Sequence, residues 1–261
     1  MKSISQLPAQ TRASIQFLFT DIDDTITTDG KLPAESYQAL WSLAKQGLHV
    51  IPVTGRPAGW CEMIARFWPV AGVVGENGAF YFRYAENKMT RWFAVPENER
   101  STNLKKLEKI KSEILTTIKG SAISSDQFCR MFDLAVDFCE DVPALDKRSI
   151  QEIVKVFENH GAHAKVSSIH VNGWFGDFNK LSTTKVFLKN VYGLNFDSVQ
   201  SQIGFVGDSP NDEPMFQAFE NSFGVANIKN FLDLLKYKPN YIADHAGAAG
   251  FAQIAQQILN R

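Results

Sequence analysis

Three features are scarce or absent in this chain of 261 residues, and each absence removes a class of function. No apolar run is long enough to span a bilayer, and the opening Met-Lys-Ser-Ile-Ser-Gln-Leu-Pro carries no apolar targeting segment. Charge of one sign is not in excess. The 27 basic and 28 acidic side chains leave a net charge of −1, which gives no footprint for nucleic acid or an anionic membrane. Cysteine is limited to Cys61, Cys129 and Cys139, an odd number with no Cys-x-x-Cys pair, so free thiols in a reducing cytosol are expected. Internal repeats and low-complexity tracts are missing too. The expectation is a cytoplasmic protein with neither nucleic acid nor membrane as a partner.

What is present is ordinary globular composition, 44% hydrophobic and 21% charged, enough for a large core and two domains. The most informative stretch is Asp21-Ile22-Asp23-Asp24-Thr25, directly after the apolar run of residues 15–20. An apolar run that stops at carboxylates reads as a buried strand delivering charge to its C-terminal end, where open α/β sheets bind ligands. Asp21 and Asp23 are two apart and share one face of an extended strand. Carboxylates held together repel unless a cation or a shared proton separates them, and oxygen ligands suit Mg²⁺.

The flanking pattern is βαβ. Pro33 opens an amphipathic helix that Gly47 stops, and residues 48–53 form a strand ending at Thr54-Gly55-Arg56-Pro57. A second helix runs to about Trp68, and a third strand, residues 71–74, ends at Gly75-Glu76-Asn77-Gly78. After residue 178 the pattern resumes: a helix to Tyr192, a strand over 202–206 ending at Gly207-Asp208-Ser209-Pro210-Asn211-Asp212, further short strands at 222–226 and 241–243, and a closing helix. Between lies a different block. It holds two amphipathic helices, near 104–118 and 146–160, and alternating segments at 131–138 and 165–171. The predicted fold class is α/β, a Rossmann-like parallel-sheet core (residues 1–85 and 178–261) interrupted by an inserted α+β cap domain (residues 86–177). Trp174 and Phe175, at the return to the core, read as packing residues.

Two aspartates, a hydroxyl, a lysine and a second acidic turn thus gather on one sheet edge. Phosphoryl transfer asks for such a set, because its catalysis is mostly positioning and charge stabilisation. A carboxylate nucleophile forms an aspartyl-phosphate, and it approaches a phosphate dianion only if a cation offsets the repulsion.

On these residues the chain resembles the haloacid dehalogenase-like phosphohydrolase superfamily. The matching segments are Asp21-Ile-Asp23-Asp24-Thr25, Thr54-Gly55-Arg56, a lysine near 180–185 and Gly207-Asp208-Ser209-Pro210-Asn211-Asp212. Glu76-Asn77-Gly78-Ala79 and the large insert are similar to the type IIB branch with its C2-type cap. The resemblance implies Mg²⁺-dependent hydrolysis of a small phosphorylated metabolite, a sugar or sugar-acid phosphate. Asp21 is then the nucleophile and Asp23 the general acid and base, with its backbone carbonyl toward the metal. Thr54 and the lysine hold the phosphoryl group; Gly55, Arg56 and Asn77 stand toward substrate. Asp208 ligates the metal, while Asn211 and Asp212 hold metal-bound water or orient the lysine. Lys180, with Ser182 as helix N-cap, is taken as that lysine, catalytic and substrate-binding; Lys185, about one turn later, is the alternative. Two further departures are Asp24, where the family commonly has glycine, and Val225-Ala226-Asn227, where the branch often has Gly-Asn-Ala. A sugar phosphomutase and a non-catalytic phospho-ligand-binding protein are the alternative readings.

Overall fold

The computed structural model describes residues 1–167 and 169–260. Its centre is a six-stranded, wholly parallel sheet in the order Lys2–Ser3, Tyr241–Ile242, Asn221–Gly224, Ile203–Gly207, Phe17–Thr20, His49–Pro52. Phe17–Thr20 and Ile203–Gly207 are buried along their whole length, as a parallel strand covered by helices on both faces must be. Starting from Phe17–Thr20, the chain winds outward through His49–Pro52 on one side. It later resumes with Ile203–Gly207 on the other. The gap between these two strands is the topological switch point, and their C-terminal ends carry Asp21 and Asp208.

Two apolar layers cover this sheet. One packs helices Ala34–Lys45, Ala58–Phe67 and Gly247–Leu259 around Leu18, Val50 and Val206; the other packs Lys180–Tyr192 and Glu213–Ala218 around Phe19, Ile51 and Phe205. A parallel bridge from Val53 to Val74 extends the sheet to Val73–Gly75, which forms an antiparallel hairpin with Phe80–Ala85 and then Lys88–Phe93. The return strand Lys88–Phe93 hydrogen-bonds to this hairpin and not to the insert's sheet.

The insert has its own core. Its antiparallel sheet runs Ala122–Ile123, Asp133–Asp137, His170–Trp174, His163–Val166, backed by helices Glu97–Thr117 and Lys147–Asn159. Leu134, Val136 and Val171 pack with Leu107, Ile110, Ile153 and Phe157 on the helix side. The alternation then leaves Asp133, His170, Asn172 and Lys165 on the opposite face. The segment 165–171, expected as one strand, is two strands with a reversal between Val166 and His170. Ser167 Oγ accepts the N–H groups of Ile169 and His170 there, and Ser168 lies outside the described residues. The strand Lys2–Ser3 and helix Ala9–Ser14 were not expected from the sequence. Among the described residues no helix is long and apolar enough to cross a membrane.

Candidate active site

The sheet delivers its polar residues to one edge. Asp21 continues the ladder by donating its N–H to the Val206 carbonyl at 2.9 Å, and the chain then turns around Ile22, whose carbonyl accepts from Thr25, Ile26 and Thr27. The turn needs a left-handed residue at position 24, where φ is +55°. Aspartate is one of the few side chains that adopts this conformation readily, which explains how Asp24 stands where glycine is common.

Lys180 is the first residue of its helix, and the N-cap is Asn179. Asn179 Oδ1 accepts the Ser182 N–H while Ser182 Oγ accepts the Asn179 N–H, so Ser182 closes a capping box and is not itself the N-cap. This places Lys180 Nζ, buried, 2.8 Å from Asp212 Oδ1 and 3.2 Å from Asp21 Oδ1. Lys185 points elsewhere, with its ammonium 3.9 Å from Asp197 and over the Phe196 ring. Asp212 is fully committed: its second oxygen accepts the Asp208 N–H at 3.1 Å. Asp208 in turn accepts from Thr25 Oγ1 at 3.3 Å and from Asn227 Nδ2 at 2.9 Å. Asn227 also donates to the Asp24 carbonyl and accepts the Gly247 N–H, tying three segments to Asp208. Its position, just past the strand after the acidic turn, was the available signal for this bracing role.

One carboxylate oxygen from each of Asp21, Asp208 and Asp212 lies within 4.8 Å of the other two, and all three residues are buried. Burial pushes the Asp21 carboxyl up to about 7; Lys180 opposes this, and Asp212 and Asp23 add to it. Burial, then Asp212 and Asp21, push Asp208 well above its ordinary value. Burial works against the Lys180 charge as well, yet Asp21 and Asp212 outweigh it and hold the ammonium above its ordinary value. One lysine therefore faces three crowded carboxylates, an arrangement that a hard divalent cation relieves.

Asp23 stands apart from that cluster. Both of its oxygens are gripped by Arg56, Nε at 2.9 and 3.1 Å and Nη2 at 2.8 Å. Arg56 also reaches the insert, where Nη2 meets Glu140 Oε1 at 3.1 Å and Nη1 lies 3.6 Å from Asp126. Thr54 Oγ1 accepts the Arg56 N–H at 3.0 Å, beside Gly55. Asn211 Oδ1 accepts from Ser209 Oγ, and Asn77, buried at φ +56°, packs against Gly55. Asp21, Asp23, Gly55, Arg56 and Asn211 share one cavity with Arg130, His170 and Asn172 of the insert. These last three, with Glu140, were not singled out from the sequence.

Glu76 joins the two parts. Its carboxylate, fully buried, accepts N–H groups from Ala58 of the core and from Met131, Phe132 and Asp133 of the insert. Arg130 closes the same junction by donating to Asp126, Asp133 and the Gly55 carbonyl.

Contact with the His170 imidazole, then Arg56, holds Glu140 down at about 2 against the opposing effect of burial. A depressed carboxyl stabilises above its unfolded value of 4.5, and that contribution fades as pH falls from 4.5 toward 2. Thermal melts should therefore show Glu140→Gln less stable than the unsubstituted protein near neutral pH. The gap should shrink steadily below pH 4.5.

With this geometry in place, the family described as haloacid dehalogenase-like hydrolase matches residues 18–170, more than half of the chain. No curated protein matches. Solved structures share the fold. The C-terminal domain of Candida albicans trehalose-6-phosphate phosphatase is 12% identical with a TM-score of 0.72, covering 99% of this chain and 98% of that one. A Thermoplasma acidophilum protein is 20% identical with a TM-score of 0.70, over 94% and 98%. The sucrose-phosphatase of Synechocystis sp., solved with sucrose and phosphate, is 15% identical with a TM-score of 0.62, over 94% and 98%.

Proposed function

The chain belongs to the haloacid dehalogenase-like hydrolases, and on that premise we propose that it hydrolyses a small phosphate monoester, a sugar or sugar-acid phosphate, through an aspartyl-phosphate on Asp21. The observation that carries this reading is the convergence of Asp21, Lys180 and Asp208 at the switch point. That related folds include phosphatases of trehalose 6-phosphate and of sucrose phosphate supports the sugar class.

In the first step an Asp21 oxygen bonds to phosphorus and the bond from phosphorus to the leaving oxygen breaks. Asp23 gives that oxygen its proton. In the second step Asp23 takes a proton from water as the water attacks phosphorus, and the bond to Asp21 breaks, regenerating the carboxylate. Arg56 fixes the aim of Asp23 by gripping both of its oxygens. Lys180 and the Thr54 hydroxyl hold the equatorial phosphoryl oxygens. Gly55 and Asn77 line the approach to them. The donor set fits Mg²⁺. Asp21, Asp208 and the Asp23 carbonyl would ligate it, Asn211 would hold its water, and Asp212, committed to Lys180 and the Asp208 N–H, orients instead of ligating. When bound, the cation offsets the repulsion between Asp21 and the phosphate dianion. The insert, which we assign as a cap over the site, supplies the walls that choose the leaving group and exclude water.

Phosphate release from a panel of monoesters, with Mg²⁺ and then with chelator, tests this. Release that requires the metal is expected. Equal release in chelator would contradict the metal assignment, and no release from any ester would contradict the phosphatase reading.

A further inference from the structure

Five basic side chains line the cavities at the junction of core and insert: Arg56, Arg130, Lys165, His170 and Lys180. Four of them are paired with carboxylates. Arg56 holds Asp23 and Glu140, Arg130 holds Asp126 and Asp133, His170 Nε2 lies 2.9 Å from Glu140, and Lys180 holds Asp21 and Asp212. Lys165 alone has no carboxylate partner among the described residues.

The placement of Lys165 is set by strand register. It sits directly across from Asn172, on the sheet face opposite the one that packs on the insert's helices. There it lines a cleft with Asn77, Lys180 and Asn211 of the core and Trp174 of the insert. Two residues of these walls, Asn77 and Trp174, only 5% and 3% exposed, carry N–H donors, Nδ2 and Nε1, that are buried without a hydrogen-bond partner. A buried donor left unpaired is costly, and a native protein that keeps one satisfies it with a water, an ion or a ligand, or puts it to catalytic use. The cleft thus offers a cation and two unmatched donors, and it opens beside the lysine assigned to the phosphoryl group. Elsewhere around the cavity the carboxylates would repel an anion.

We propose that this cleft is a second anion subsite, in which Lys165, Asn77 Nδ2 and Trp174 Nε1 receive a carboxylate or a second phosphoryl group carried by the leaving group. This rests on the phosphatase reading and narrows its substrate class to esters with two anionic ends. Trp174 is then a ligand-facing residue as well as a packing one.

The test measures phosphate release with Mg²⁺ from three esters of similar size: glucose 6-phosphate, 6-phosphogluconate and fructose 1,6-bisphosphate. At least one of the two esters with a second anionic end should exceed glucose 6-phosphate in kcat/KM by roughly tenfold or more, the scale of one charge-assisted contact. Which of the two does so identifies the carboxylate or the phosphoryl group. Lys165→Met should bring that ratio close to one through KM, with Lys165→Arg restoring part of it. Trp174→Phe, which keeps the ring and removes the donor, should raise KM for the same ester. Release that does not favour either ester with a second anionic end over glucose 6-phosphate, or a ratio unmoved by Lys165→Met, would overturn the subsite while the phosphatase reading stands. Failure to release phosphate from these three and from every other ester of the wider panel would overturn that reading and the subsite with it.

Discussion

Asp21→Asn should lower kcat for phosphate release by roughly 10⁴-fold or more, the scale on which loss of a covalent nucleophile or its triad partner acts. The substitution keeps the shape of the side chain and removes its charge, so a large loss reports chemistry and not packing. It should also stabilise the metal-free protein. Burial, with Asp212 and Asp23, raises the Asp21 carboxyl to about 7 from an ordinary 3.8. A raised carboxyl binds its proton more tightly when folded. Its ionisation therefore erodes stability as pH climbs from 3.8 to about 7. In chelator, the Tm of the unsubstituted protein should fall across that window relative to Asp21→Asn, and the two should converge below it. A variant that is less active and more stable is the expected mark of a residue kept for function. Equal Tm values across the window would mean that Asp21 is not strained by its neighbours.

The second large effect falls on stability. Glu76→Ala removes the acceptor for four backbone N–H groups, those of Ala58, Met131, Phe132 and Asp133. Each buried donor left unpaired costs about 1–3 kcal/mol, less where water enters the vacated space. Burial and the adjacent Asp133 push the Glu76 carboxyl up to about 8, so the residue is held at some cost, and Arg130 and the N–H donors oppose that push. The donors decide the balance, because alanine relieves one strained carboxyl and strands four N–H groups. The expected loss is about 4 kcal/mol, a large share of the 5–15 kcal/mol that holds a typical domain together. Denaturant unfolding should show it, and limited proteolysis should find new cleavage near residues 126–133, where the insert packs on the core. Glu76→Gln keeps one acceptor and should cost less. A loss under about 1 kcal/mol for Glu76→Ala would show that the junction does not depend on the Glu76 acceptor.

How much of this was legible in the sequence follows from range. Asp21 and Thr54 directly follow a short apolar run, and Asp23 and Asp208 sit within three residues of the end of one. A parallel sheet carries such positions to one edge without further information. Lys180 was recognisable only together with Lys185. The choice needed the capping box that sets the helix phase, and Asn179 reads as a cap no more plainly than Ser182 does. Arg130, Glu140, His170 and Asn172 were not legible: His170 and Asn172 owe their place to strand pairing with a distant segment, Arg130 and Glu140 to loop contacts with Gly55 and Arg56 far back in the chain, and none lies in a pattern tied to its role. The reversal after Val166 was hidden for a related reason. It contains no glycine, proline or asparagine; the signals on offer were only the Ser167-Ser168 pair, weak turn formers, and the slip of the apolar phase there from Val166 to Ile169 and Val171. Glu76 was visible as part of a turn, with Asn77 and Gly78, but not as the acceptor that fastens the insert. Its partners in the insert lie more than fifty positions away.

The central claim is a phosphoryl group carried on Asp21, and it can be weighed directly. The Asp23→Asn variant, which lacks both the acid for the first step and the base for the second, is mixed with Mg²⁺ and p-nitrophenyl phosphate, whose leaving group departs without a proton, then quenched and digested in acid and analysed by mass spectrometry. The account predicts the added mass of one phosphoryl group on the peptide containing Asp21, absent when Asp21→Asn is combined with Asp23→Asn. A variant that releases leaving group without labelling that peptide, or that carries the label on another residue, would contradict it.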